Sequence, residues 1–185
     1  MKKILYILNL LYLFSILILT GCAHGHFKVD FFNLPKGATV SVLPFQNLTS
    51  YPRAGKIVSE IMALELSKIK EIKISDPSLS EAKLSRDKRF LTQEEGFRET
   101  DFGDIGKLLN ASYILTGSVN EYRYTKGLAE APTVAIQVKL IDVRTQQTVW
   151  RASASDLSTE SVFNRSASLD ELTHTLCASI ITHLN

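Results

Sequence analysis

The chain has little net charge. Its 21 Lys+Arg stand against 19 Asp+Glu in 185 residues, a formal +2. A balance so close to zero supplies no general basic surface for displacing counterions from nucleic acid, which excludes that class of partner. Motifs of common chemistries are also missing: there is no G-x-S-x-G elbow, no C-x-x-C, no H-E-x-x-H and no Walker-type phosphate loop. His24 and His26 lie close together without a third ligand nearby, and His174 and His183 are more than two helical turns apart. Gly103-Asp104-Ile105-Gly106 is a bare G-x-x-G and reads as a tight helix-to-sheet contact. We therefore expect no metal, no cofactor and no catalytic residue. No internal repeat or low-complexity segment is visible, and 45% apolar with 22% charged residues describes a globular chain.

What is present begins at the N-terminus. Lys2 and Lys3 precede an uncharged run from Ile4 to Leu19 that closes on Leu19-Thr20-Gly21-Cys22. A positive start, a short apolar stretch and small residues at the end form a secretory signal, shorter than the roughly 20 residues of a spanning helix. The closing tetrapeptide resembles the lipobox of bacterial lipoproteins. That resemblance implies that residues 1–21 are removed and Cys22 is acylated, and Ala23 in place of an Asp implies sorting to the periplasmic face of the outer membrane. The mature chain is then 185 − 21 = 164 residues, with 21 − 2 = 19 bases against 19 acids. Acyl chains at about 0.8 kcal/mol per buried methylene hold such a protein on the bilayer without spanning it. Only Cys177 remains, so no intrachain disulfide forms; its neighbours Leu172, Leu176, Ile180 and Ile181 mark it as a small buried hydrophobe.

Residues 22–38, the lipidated Cys and a stretch with Gly25, Pro35 and Gly37, read as a tether, and residues 39–185 as a single periplasmic domain. Thr39 to Phe45 alternates as a strand ending in a break at Pro44. A helix follows from Ala54 to Ile69, its apolar stripe carrying Ile57, Val58, Ile61, Met62, Leu64 and Ile69. Glu71 to Ser75 is a second strand, and residues 76–100 are a polar surface excursion with a short helix near Leu79 to Leu84. Asp101 is placed to cap a helix running to Leu109, with Asn110 as a left-handed stop. Strands follow at Tyr113 to Val119, Thr133 to Val143 and Thr148 to Ser155, the last two as a hairpin. Ser168-Leu169-Asp170-Glu171 is a full capping box ahead of the final helix. The order β-α-β-α-β-β-β-α predicts an α/β domain with one mixed β-sheet packed with helices.

Two features stand out from this framework. Glu94, Glu95, Glu99, Asp101 and Asp104 put five acids against Arg98 within eleven residues. They read either as a solvated loop with helix N-terminal acids or as a face for a cationic ligand. Trp150 lies among small residues of the last strand and reads either as core or as an aromatic at headgroup level on a membrane-side rim.

Leu43-Pro44-Phe45-Gln46-Asn47-Leu48-Thr49, followed by Pro52-Arg53-Ala54-Gly55, resembles the opening strand and loop of PelC-like lipoproteins of Pel exopolysaccharide export. Thr116-Gly117-Ser118-Val119-Asn120-Glu121-Tyr122-Arg123-Tyr124, with Lys126-Gly127-Leu128 and Pro132, resembles their second block. Asp142-Val143 and Val149-Trp150 resemble the closing hairpin, although Gln146 and Gln147 stand where a Gly is usual. The wider group takes in CsgG-type curli secretion lipoproteins, LpoB activators of penicillin-binding proteins and the N-terminal domain of TolB.

The resemblance implies a CsgG/TolB N-terminal-like sandwich and a homo-oligomer ring on the periplasmic side of the outer membrane, beside a separate export-pore protein. Pel polysaccharide is cationic, so the five acids become the candidate guiding face, repeated around the ring, and Trp150 the candidate rim. An LpoB-like activator and a CsgG-like secretion lipoprotein are the alternatives. Against an activator that crosses the periplasm stands a tether of at most roughly 55 Å. Against a membrane pore stands the lack of paired strands of about 9–11 amphipathic residues.

Overall fold

The computed structural model describes residues 27–29, 31–90, 97, 101–125, 131–157 and 168–184. In chain order these form β1 (Phe27–Val29), β2 (Thr39–Val42), β3 (Gln46–Asn47), α1 (Ala54–Leu66), β4 (Lys73–Ser75), α2 (Pro77–Leu84) and a single helical turn at Lys88–Phe90. They continue as α3 (Phe102–Leu109), β5 (Tyr113–Thr125), β6 (Ala131–Asp142), β7 (Gln147–Leu157), α4 (Leu169–Ile181) and a closing turn at Thr182–Leu184. One mixed sheet has the order β1-β7-β6-β5-β2-β4, with β3 added on β5. β2 lies parallel to both β4 and β5, as the β-α-β reading requires, and β5, β6, β7 and β1 pair antiparallel. The fold class is thus the mixed-sheet α/β architecture expected.

The helices on the first face are α1 and α4. Val58, Met62 and Leu66 from α1 and Leu172, Leu176 and Ile180 from α4 close over Val42, Leu115, Ile136 and Leu140 of the sheet. Ser168 caps α4 as read: its hydroxyl accepts from the Glu171 amide at 3.1 Å, and the Glu171 carboxylate accepts from the Ser168 amide at 2.8 Å. Cys177 is buried within this layer. On the second face α2 and α3, with Leu43, Phe90, Ile114 and Ile141, cover only the end of the sheet where β5 starts and β6 stops. Further along that face Gln137 and Ser153 pair side by side and are exposed.

Several expectations need correction. The segment read as tether joins the domain at Phe27: β1 pairs with β7, and Phe32 and Leu34 pack on the core. Pro44 does not end the strand pairing. Val42 is level with Leu115 and Gln46 with Ser118, so four steps on one strand oppose three on the other and β3 resumes the ladder beyond a bulge. On α1 the expected apolar Leu64 is exposed, while Glu65 is buried. Asp101 occupies the N-cap position of α3 but makes no side-chain cap bond, whereas Asn110 adopts the left-handed C-cap at φ 54°. β5 runs on to Thr125 because a bulge at Asn120 resets its alternation, so Val119 and Tyr122 both face the core. A second bulge at Val149 sets Trp150 opposite Leu140. Trp150 is 2% exposed and forms part of the core, which removes it as the membrane-side rim.

Candidate functional site

The residues of the two sequence blocks separate into a buried knot and an exposed end. The knot is built on Phe45. A Cβ on Gly55 would lie 2.0 Å from the Phe45 carbonyl oxygen. A Cβ on Gly117 would lie 2.0 Å from the Gln137 carbonyl oxygen and 2.9 Å from the Phe45 ring. Both glycines are therefore required by close approach, with α1 resting on the strand break and β5 on β6. Leu43, Pro44 and Phe45 carry the chain through that break and bury Leu43 and Phe45 on opposite sides of the sheet. These family-motif residues are architectural.

Beyond the knot, the end of β5, the beginning of β6, the end of β7 and the start of α4 converge, and the loop from β3 to α1 joins them. Asn47 organises that loop. Its Oδ1 accepts from the Thr49 amide at 3.0 Å and the Thr49 hydroxyl at 2.8 Å, and its Nδ2 donates to the Tyr51 carbonyl at 2.9 Å. The Tyr51 amide then donates to the Thr49 hydroxyl at 3.1 Å. Pro52 follows, and Arg53 turns the chain into α1 at φ 63°, a conformation costly for a side-chain-bearing residue. The Tyr51 ring meets Tyr122 edge-on at 4.9 Å. Tyr122 is buried and donates to the Asp170 carboxylate at 3.2 Å. Burial pushes its hydroxyl up to about 12; a bond with Thr173 opposes this and the Asp170 charge adds to it.

Tyr124 accepts a bond at its hydroxyl from the Leu169 amide at 3.4 Å, tying β5 to the first turn of α4, and Pro132 sits level with it on β6. Glu121 and Arg123 face solvent as an ion pair at 3.7 Å. The outcome is a loop held in one shape by side-chain bonds, with Leu48 55%, Tyr51 40% and Tyr124 45% exposed. Large apolar groups displayed on a preordered surface cost little entropy to engage.

Of the five candidate acids, Asp101 and Asp104 are among the described residues. Asp104 is exposed beside Arg89 at 3.2 Å and Lys107 at 3.6 Å, so its charge is locally answered. Asp101 is partly buried at the start of α3. Gly103 and Gly106 of the same helix press on Gln146 and Val143. Glu94, Glu95, Glu99, Gly127 and the lipidation candidate Cys22 lie outside the described residues.

A buried polar contact was not foreseen. Glu65 is surrounded by the α1–α4 interface, with the Lys68 ammonium against one oxygen and His174 Nδ1 at 3.1 Å from the other. Burial raises its carboxyl, but bonds with Lys68 and His174 outweigh that and hold it below the ordinary value. No signal in the sequence joins positions 109 residues apart. Among the described residues, no three or more His, Cys, Asp or Glu gather as metal ligands, and no helix is long and apolar enough to cross a membrane.

Sheet order, paired helices and the preordered end define a mixed-sheet α/β domain. The family model for the peptidoglycan-synthase activator LpoB matches residues 32–155, and the chain belongs to that family. Its fold is similar to that of the PelC dodecamer from Paraburkholderia phytofirmans, with 24% identity and a TM-score of 0.62 over 86% of this chain and 96% of that one. It is also similar to lipoprotein GNA1162 from Neisseria meningitidis, with 18% identity and a TM-score of 0.58 over 78% and 96%. No curated protein sequence matches the chain. At these identities the structural likenesses establish the fold.

Proposed function

We propose that the protein is a non-enzymatic lipoprotein, acylated at Cys22 on the periplasmic face of the outer membrane. There it acts close to the bilayer as a ring-forming subunit that assists exopolysaccharide export through a separate pore. The observation that carries this reading is the position of β1. With the domain starting at Phe27, only five peptide steps separate it from Cys22, at most roughly 17 Å. A domain held on so short a lead works at the membrane surface. The similar Paraburkholderia fold is named as a dodecamer, which supports a closed ring for this chain as well.

Repetition around an axis turns a weak patch into a strong field, and Glu94, Glu95, Glu99 and Asp101 remain the acids proposed to line it for a cationic polymer. Membership of the LpoB family favours a second reading, activation of a peptidoglycan synthase. Sedimentation of the acylated protein in detergent separates the two. A large discrete oligomer is expected. A monomer at high concentration that accelerates glycan polymerisation by a penicillin-binding protein refutes the ring and selects the activator.

A further inference from the structure

The uncovered part of the second face begins where α3 stops, and the strand register fixes what stands there. Thr116 on β5 is level with Lys139 on β6, and Lys139 with Arg151 on β7. Ile114, two residues before Thr116, and Ile141, two after Lys139, pack in the cluster under α3, while Arg151 lies between the first-face core residues Trp150 and Ala152. Alternation therefore puts all three side chains in one row on the second face. Lys139 and Arg151 are thus two cations directly opposite each other, with Cβ atoms about 4.5–5.5 Å apart, an arrangement that destabilises a strand pair unless an anion answers it. Among the described residues neither makes an ion pair. The Lys139 ammonium is held 5.2 Å from the centre of the buried Phe102 ring at the start of α3. Thr116 is 6% exposed, and among the described residues nothing bonds its hydroxyl. A hydroxyl so enclosed is costly to leave without a partner. One row further from α3, roughly 6.6 Å away, Ser118, Gln137 and Ser153 stand level, with Gln137 and Ser153 exposed.

We propose that Thr116, Lys139 and Arg151 bind an anionic oxygen group, carboxylate or phosphate, carried on a sugar chain whose hydroxyls meet Ser118, Gln137 and Ser153. The Arg151 guanidinium supplies a planar fork for two oxygens, Lys139 a point charge beside it and Thr116 a neutral donor. The second row offers a hydroxyl, an amide and a hydroxyl, which donate and accept as sugar hydroxyls do. Ser118 donates to Asn120 Oδ1 at 3.0 Å and keeps its lone pairs. An acidic protein surface is the poorer fit. Protein interfaces draw most of their energy from large buried anchors, and the exposed apolar groups among the described residues, Phe31, Leu48, Tyr51, Leu64, Leu79 and Tyr124, belong to neither row. The site stands apart from the export reading and does not depend on it. Two unanswered cations repel a cationic polymer, so the ligand here is a different glycan.

The test reads fluorescence anisotropy of labelled oligogalacturonate, which bears carboxylates, and of a labelled phosphomannan oligosaccharide, with the full chain in detergent at low salt. The parent is expected to bind at least one of them, and binding of neither overturns the site. Joint Lys139→Gln and Arg151→Gln should weaken binding by about tenfold or more, and Thr116→Val, which keeps the shape, by about threefold. Joint Lys70→Gln and Lys73→Gln removes the same charge from exposed positions at the β4 edge and should leave binding unchanged. Equal weakening by the two pairs overturns the site in favour of a general field. Arg151→Gln alone relieves the repulsion and leaves Lys139 over Phe102, so it should melt at or above the parent. A lower melting point would mean that the arginine serves the fold, and would refute the reading. Labelled polyglutamate that binds as tightly as the sugar acids overturns the glycan in favour of an acidic protein, and a chitosan oligomer that does so overturns the choice of an anion.

Discussion

Replacing Gly55 by Ala isolates the contact on which the strand break and α1 are built. Within a helix, Ala is favoured over Gly by about 1 kcal/mol, so propensity alone predicts a more stable protein. Space predicts the opposite. The new methyl would stand 2.0 Å from the Phe45 carbonyl oxygen and 3.0 Å from its carbon, and backbone on a bulged strand cannot swing aside. α1 must lift by more than about 1 Å, loosening Val58 and Met62 against the sheet, an overpacking cost of about 1–3 kcal/mol or more. The net expectation is a loss of up to about 2 kcal/mol, which for a domain of this size lowers Tm by up to about 8 °C. Gly103→Ala is the control, because it carries the same propensity gain on α3 while its wall is the far end of the flexible Gln146 side chain at 2.9 Å. Moving that tip aside costs about 0.5–1.5 kcal/mol, so the gain and the cost nearly cancel. Thermal unfolding followed by far-UV circular dichroism ranks the two. If Gly55→Ala melts at or above the parent, or no lower than Gly103→Ala, then close approach at Phe45 is not what selects glycine.

Ser168→Ala removes the cap of α4 and should cost about 1 kcal/mol by denaturant unfolding. Glu65 has its folded-state carboxyl held below the ordinary value of 4.5. Its ionisation therefore adds stability above that value, and the contribution is lost as pH falls through the lower folded value. Glu65→Gln should flatten the acid limb of a stability profile, and an unchanged acid limb would show that the Lys68 and His174 contacts contribute nothing. Burial pushes the Tyr122 hydroxyl up to about 12, and Tyr122→Phe should delete a phase near that pH from an ultraviolet titration.

Elements set by local periodicity were legible, and those set by a partner were not. Val134, Ile136, Val138 and Leu140 alternate without interruption and are all buried on β6, and the Ser168 box and the Asn110 stop are local signals. In β5 and β7 the bulges at Asn120 and Val149 shift the side-chain period by one residue, and nothing in composition announces that step. For that reason the alternation of β5 reads only as far as Val119, and Trp150 reads equally as core or rim. β1 has three residues and owes its existence to β7. Glu65 is buried in place of Leu64 because Lys68, one turn further on, and His174, from the distant α4, bond its carboxylate there. The exposed end was readable as a motif but not as a surface, since exposure of Leu48 and Tyr51 follows from how Asn47 folds its loop.

Charge balance sets a sharper limit on the export reading than the count of acids does. With the proposed cleavage before Cys22 the chain would carry 19 bases and 19 acids and no monopole, so any steering of a cationic polymer arises from charges placed apart from their partners. Screening at physiological salt restricts that field to about 8 Å, so only acids bordering the polymer path act on it. Asp104 fails this criterion: with Arg89 at 3.2 Å and Lys107 at 3.6 Å it belongs to a compact group whose field falls off faster than that of a lone carboxylate. Asp104→Asn should therefore leave export unchanged, while joint replacement of Glu94, Glu95 and Glu99 by Gln should reduce it, each read as secreted polymer in a host depending on this gene. The reverse ranking would mean that the path runs along α3, where Arg89 and Lys107 would have to move from Asp104 for its charge to be felt.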